Sequence, residues 1–315
     1  MRSLKYGATM YMPALRPDLA ETGNGLKFPN LRTVVFCTED SVGARHLSIA
    51  LANIKRVLSQ LEPVRVFRFI RPRNPEVLRT ILEFPHIDKI NGFIIPKADR
   101  KTLPAYFEAL ADYGDFEIMP IIETTLAFDL PELFRLRDFL AESPLRPRIT
   151  ALRIGSMDLM SILSLRRNIS RSVYETPIGH TIDQLITVFK PMGLDLTAPC
   201  FEGVEQNETL AAELFLDVSR GLFSKTAIHP SQIEIIEYSY QVAVEELEMA
   251  EAILDPTSPP IFRLGARMCE KTAHSNWAAT VLERARLFGV RGAKPELDLS
   301  QEWEKIANAD YYPCG

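Results

Sequence analysis

The sequence predicts an α/β chain that closes into a (β/α)8 TIM barrel with a C-terminal helical extension. Three observations carry that expectation. Eight short apolar runs alternate with helical patterns along most of the chain. A length of 315 residues leaves room for a barrel, which needs about 250. No Gly-x-Gly-x-x-Gly phosphate turn follows the first run, as an open dinucleotide-binding sheet would favour. Gly23-Asn24-Gly25 lies in a polar loop and reads as a turn.

The strand candidates are residues 6–13, 33–39, 64–71, 92–97, 116–124, 149–156, 194–200 and 224–229. Each is an apolar run that closes on polar or charged residues. Between them, residues 44–61, 75–84, 101–113, 129–141 and 207–221 carry apolar side chains every three or four positions, the helical period. At the last strand Ala227 and Ile228 are apolar, Pro230 suits a first helical turn, and Ser231 and Gln232 can satisfy free amides there. One long helix is expected from Ser231 to Leu254, ended by the Asp255–Pro260 stretch with its three prolines. Residues 261–291 resume as a short strand-like piece and one amphipathic helix, too small to bury a core alone. The expected division is a barrel over 1–255 and an extension over 256–315 that packs on the barrel or on a neighbouring subunit. The last two dozen residues read as peripheral.

Lys and Arg number 36 against 41 Asp and Glu, for a net charge of -5. This balance gives no basic footprint for nucleic acid. No run of 18 apolar residues occurs, and the first residues lack the apolar core of a signal peptide, so a cytoplasmic protein with no membrane contact is expected. Cys37, Cys200, Cys269 and Cys314 lie far apart, without metal-type pairing, and read as reduced thiols.

In such a barrel every strand ends at one mouth, so strand-end residues are candidates for chemistry. In order these are Arg16, Glu39 and Asp40, Arg71, Lys97, Glu123, Asp158 and His229. Glu123 and Asp158 end adjacent strands. Two carboxylates with room for water and substrate oxygens match the hard, near-octahedral coordination of Mg²⁺, and no His or Cys cluster suggests zinc. Taken singly, each acid would more often be a helix cap or a surface ion pair; the pair on neighbouring strands favours metal. Arg68 and Arg71 point to opposite faces of the third strand, and Arg71, at its end, is the fork for a carboxylate or carbonyl oxygen. Glu39 and Asp40 would crowd a divalent ion with too much negative charge if they joined it directly, which points to a role through water. Lys97 either neutralises a substrate carboxylate or pairs with Glu39 or Glu123. His229, before a proline, reads as a residue that fixes backbone.

These segments, in this order, resemble the citrate lyase β-subunit group of the HpcH/HpaI aldolase superfamily. The carrying motifs are Tyr11-Met12-Pro13-Ala14 with Arg16-Pro17, Glu39-Asp40-Ser41-Val42, the Arg71 strand end, Pro96-Lys97, Glu123-Thr124, Gly155-Ser156-Met157-Asp158-Leu159, and Ala227-Ile228-His229-Pro230-Ser231-Gln232-Ile233. They span residues 8 to about 290. The resemblance implies Mg²⁺ held by Glu123 and Asp158, with Arg71 on the substrate's keto or carboxylate oxygens and Arg16 near the phosphates of a thioester carrier. It implies cleavage or formation of a carbon-carbon bond beside a carbonyl, on a keto acid or on a coenzyme A or acyl-carrier thioester. It also implies a homo-oligomer, a trimer or larger. Two alternatives remain open: thioester hydrolysis on the same scaffold, and a ligand-binding or assembly subunit without catalysis.

Two departures matter. Where many thioester-active relatives carry an Asp-Gly-Lys-Met-type segment, this chain has Arg263-Leu264-Gly265-Ala266-Arg267-Met268-Cys269-Glu270. That argues against malyl-CoA or citramalyl-CoA lyase activity unless Glu270 serves as the acid/base. The second strand ends Cys37-Thr38-Glu39-Asp40, one carboxylate short of the usual motif. The Phe67-Arg68-Phe69-Ile70-Arg71-Pro72-Arg73-Asn74 segment resembles a divergent carbon-carbon lyase branch found beside tellurite-resistance and stress genes in some bacteria.

Overall fold

A computed structural model describes residues 3–291. The expectations for Cys314 and for the last two dozen residues fall outside that range. Six parallel strands follow in chain order: β1 (Thr9–Pro13), β2 (Thr33–Cys37), β3 (Phe67–Arg71), β4 (Gly92–Ile95), β5 (Glu117–Ile122) and β6 (Arg153–Ile154), with β7 (Thr226–Ala227) on the far side of β1. Register is tight across the first three, where Pro13, Cys37 and Arg71 stand level at the strand ends. Single parallel bridges, Leu152 to Leu196 and Thr197 to Phe223, carry the ladder from β6 through residues 196–197 to the run that ends in β7. The sheet thereby closes on itself.

The seventh predicted strand is therefore much shorter than 194–200. Pro199 has no N–H to give the ladder, and Asp195 turns its carboxylate to the Ser3 amide, 3.1 Å away. β2, β4, β5, β6 and β7 also end two residues before their apolar runs do, because the last side chains of those runs belong to the mouth loops, whereas β1 and β3 end where the sequence predicts.

Around the barrel lie α1 (Leu19–Gly23), α2 (Leu47–Gln60), α3 (Pro75–Leu82), α4 (Leu103–Ala111), α5 (Leu130–Glu142), α6 (Ser156–Ile162), α7 (Pro177–Phe189), α8 (Asn207–Ser219) and α9 (Ser231–Ser239). Two of their starts carry a side-chain cap. Asn74 accepts from the Val77 amide and Asp129 from the Glu132 amide, each followed by proline in the first helical turn. Two apolar layers result: a large one between strands and helices, and a smaller one inside the barrel built on Tyr6, Val35, Phe69, Ile94, Met119 and Ile121.

The long helix expected from Ser231 to Leu254 is two helices. α9 ends at Ser239, and α10 (Val244–Leu254) starts after a break at 240–243. Backbone at the break serves other partners. The Val242 amide donates to the Gly289 carbonyl at 3.1 Å, and Arg284 donates to the Tyr240 and Gln241 carbonyls. A hairpin of β8 (Ile261–Leu264) and β9 (Arg267–Glu270) then leads into α11 (Lys271–Phe288). α10 and α11 share a separate apolar cluster of Val242, Ala250, Ile253, Cys269, Ala278 and Val281. This unit is fastened to the barrel through Arg32, whose Nη2 donates to the Leu287 carbonyl at 2.6 Å and whose guanidinium lies 4.3 Å from the Phe288 ring.

Candidate active site

Strand ends position the polar groups, as parallel strands that all stop at one mouth must. Glu39 follows β2 and is 6% exposed. Its two oxygens are divided between cations: Oε1 lies 2.5 Å from Lys97 Nζ and Oε2 3.2 Å from Arg71 Nη2. Asp40, beside it and exposed, reaches the same two, at 3.4 Å from Lys97 and 4.0 Å from Arg71. Arg71 also donates from Nε to Cys37 Sγ at 3.1 Å. Behind this cluster Arg73 donates to the Thr38 and Glu39 carbonyls at 3.2 Å and to the Val42 carbonyl, which pins the loop carrying the two acids.

Next to this cluster, past the ends of β5 and β6, stand Glu123 and Asp158. Glu123 follows β5, is 4% exposed, and accepts the Lys97 amide N–H on Oε1 at 2.8 Å. Lys97 holds a left-handed backbone, φ 50°, which a non-glycine residue adopts only where its surroundings enforce it. Gly155 stands so close to Glu123 that a Cβ there would meet the Glu123 Cβ and lie 2.6 Å from Oε2. Asp158 sits in the first turn of α6, just past β6.

The charges in this mouth are mutually perturbed. Burial first, then the Asp158 charge, pushes Glu123 up to about 7. Burial also raises Asp158, with Asp40 adding to the rise and Lys97 and Arg71 opposing it. Burial would raise Asp40 as well, yet the hydrogen bond with Glu39 and the charges of Lys97 and Arg71 hold it below the usual range. For Lys97 burial works downward and is outweighed by Glu39, which keeps the ammonium charged. Two acids that resist ionisation, set beside the cationic Arg71 and Lys97, make a receptor for a cation and an anion together.

Of the residues singled out in the sequence, Arg71, Glu39, Asp40, Lys97, Glu123 and Asp158 share this mouth. Arg68 points away and is 5% exposed, donating from Nε to the Gly23 carbonyl at 2.8 Å and also to the Glu62 and Lys89 carbonyls. Arg16, past β1, is engaged by Asp18 at 2.9 and 2.7 Å. His229 Nδ1 lies 2.8 Å from Ser231 Oγ at the start of α9, a backbone-fixing place. Glu270 closes β9, where its amide meets His274 Nδ1 at 3.1 Å. Tyr11, Cys37, Arg153 and Gly155 are not among the strand-end candidates; their part depends on which strands face each other across the barrel. Concavities of about 510 and 890 Å³ at the opposite end of the barrel, both bordered by Arg32 and Arg65, contain none of the mouth residues.

A model of a carbon-carbon bond lyase family of the TIM-barrel fold matches residues 1–290. The chain belongs to this family. A (3S)-malyl-CoA thioesterase of Cereibacter sphaeroides is 25% identical over 248 residues, 78% of this chain and 80% of the relative. Among solved structures, a citrate lyase from Burkholderia xenovorans LB400 shares the fold with a TM-score of 0.70 at 18% identity, covering 92% of this chain and 94% of that one. The protein CitE of Mycobacterium tuberculosis, solved with magnesium, acetoacetate and coenzyme A, gives 0.67 at 19% identity, covering 91% of this chain and all of that one. Among the described residues no helix is long and apolar enough to cross a membrane.

Proposed function

We propose that this mouth carries out Mg²⁺-dependent cleavage or formation of a carbon-carbon bond beside the carbonyl of a 2-keto or 3-hydroxy acid, free or as an acyl thioester. The observation that carries the reading is the buried Glu123 with the half-buried Asp158, set beside Arg71 and Lys97 at one mouth. The donor set fits Mg²⁺. Two hard carboxylate donors suit an ion that keeps several positions for water and substrate oxygens; among the described residues, no three His, Cys, Asp or Glu side chains gather into a fuller cage. When bound there, the ion would polarise the substrate carbonyl and favour negative charge on its oxygen.

The chain's own residues supply the rest. Glu39, between the two cations, aims the Arg71 fork, whose planar donors match a carboxylate or keto oxygen. Lys97 joins the two halves, its amide orienting Glu123 and its ammonium orienting Glu39 and Asp40. Asp40, exposed and ionised, adds a second negative charge beside Lys97 and Arg71 at the rim. Magnesium and acetoacetate bound to CitE, on the same fold, support this choice of ligand class.

A second reading is thioester hydrolysis at the same centre, favoured by the (3S)-malyl-CoA thioesterase relatives. Incubation with Mg²⁺ and a 3-hydroxyacyl-CoA panel, malyl-CoA included, separates the two. Carbon-carbon cleavage yields a carbonyl product, a 2-oxo acid in the case of malyl-CoA, and a shortened thioester; hydrolysis yields free coenzyme A and an intact hydroxy acid. Activity of either kind that survives in both Glu123→Gln and Asp158→Asn would refute the site.

A further inference from the structure

Two side chains beneath the mouth, Tyr11 and Arg153, have no part in the reading above. Strand alternation turns both into the barrel, Tyr11 from β1 and Arg153 from β6. The Arg71 guanidinium carbon lies 5.1 Å from the centroid of the Tyr11 ring, and that of Arg153 lies 5.6 Å from it.

Arg153 is 2% exposed. Its Nη2 donates to Thr226 Oγ1 at 2.7 Å and lies 3.5 Å from the Ser224 carbonyl, and its Nη1 lies 3.9 Å from Met119 Sδ. Among the described residues no carboxylate pairs with it. The acids inside the barrel are engaged elsewhere: Glu117 by Lys5 and the Tyr6 hydroxyl, Glu39 by Arg71 and Lys97, Glu123 by the Lys97 amide. Lys225 shows how this chain neutralises a buried cation of structural purpose. Fully buried behind the strands, it has both Glu213 and Asp217 at 2.8 Å. A guanidinium left without such a partner in a low-dielectric interior is expensive to keep, and its field extends furthest there.

The geometry points to Tyr11 and Arg153 as positioning residues that hold Arg71 and give the mouth an electropositive floor for the anionic end of the substrate. The negative face of the Tyr11 ring attracts both guanidiniums. It fixes the height and tilt of Arg71 from below, while Glu39 fixes it from the side. The Arg153 charge acts through the ring on whatever anion Arg71 grips, preorganised before substrate arrives. This inference rests on the assignment of Arg71 as the substrate fork.

The test is calorimetric affinity for oxalate, a planar dianion shaped like the enolate of a 2-keto acid, in saturating Mg²⁺, with melting temperature measured alongside. Arg153→Met is expected to weaken oxalate about tenfold or more with a melting temperature equal to or above wild type, because an uncompensated buried charge has been removed. Arg153→Lys is expected to recover most of that affinity. Tyr11→Leu should weaken oxalate comparably and non-additively with Arg153→Met, while Tyr11→Phe, which keeps the ring, stays near wild type. Wild-type affinity in Arg153→Met, or equal losses in Arg153→Met and Arg153→Lys, would overturn the inference. Arg71→Met separates it from its premise. If that variant binds oxalate normally, the fork assignment fails; if it binds weakly while Arg153→Met binds normally, only the floor fails.

Discussion

At the scale of single residues the mouth is governed by Glu123. Its carboxyl, pushed up to about 7, binds its proton more tightly in the folded chain than in the unfolded one. In the metal-free protein its contribution to stability is therefore full below the ordinary carboxylate range and is lost as pH rises toward 7. Mg²⁺ needs the ionised form. Affinity for Mg²⁺ should climb by up to about tenfold per pH unit on approach to 7 and level off above it; titrations between about pH 5.5 and 8 that gave a flat profile would contradict the assignment. Gly155→Ala should act on the same group without touching its chemistry. The added Cβ has no space beside Glu123, so the carboxylate must move, and Mg²⁺ binding should weaken about tenfold or more while the fold persists. Glu123, Asp158, Arg71 and Lys97 were legible in the sequence because each ends an apolar run, and strand ends of such a barrel share one mouth. Tyr11 and Arg153 were not. Both lie within apolar runs, and only the cross-barrel register brings a β1 ring against a β6 guanidinium.

Elements were read more securely than their ends. The alternation of apolar runs and amphipathic patterns identifies the barrel strands, yet the runs overshoot the ladders, since Glu39, Lys97 and Glu123 extend strand-like segments into loops that serve the mouth. The break between α9 and α10 escaped detection for a different reason. Residues 240–243 contain no Gly or Pro, and what opens the helix there is tertiary: pairing of Val242 with residues 289–291 and carbonyl capping by Arg284. The charged network behind the last strand ties α8 to the barrel, with Lys225 bridging Glu213 and Asp217, Arg167 on Glu213, and the Tyr174 hydroxyl on Asp217 at 2.5 Å. Lys225→Met leaves two buried carboxylates short of a cation and should cost about 3–5 kcal/mol in denaturant unfolding. A loss under about 1 kcal/mol would mean that the network contributes little net stability.

For the whole molecule, large apolar side chains stand exposed on segments that follow the mouth end of two strands. Phe128 and Phe134 after β5, and Met157, Ile162 and Leu165 after β6, are each at least 37% exposed. Exposed side chains of this size favour burial against another protein surface, in keeping with the homo-oligomer that the resemblance implies. Light scattering should return a multiple of the chain mass, three or more, and a monomer would count against that assembly. None of this bears on the chemistry as directly as the metal. The decisive measurement is calorimetric titration of Mg²⁺ into the wild-type protein and into Glu123→Gln and Asp158→Asn, with melting curves to confirm folding. Saturable binding by the wild type, lost in both folded variants, is the predicted result; equal Mg²⁺ binding by all three would contradict the placement of the metal, and with it the proposed reaction centre.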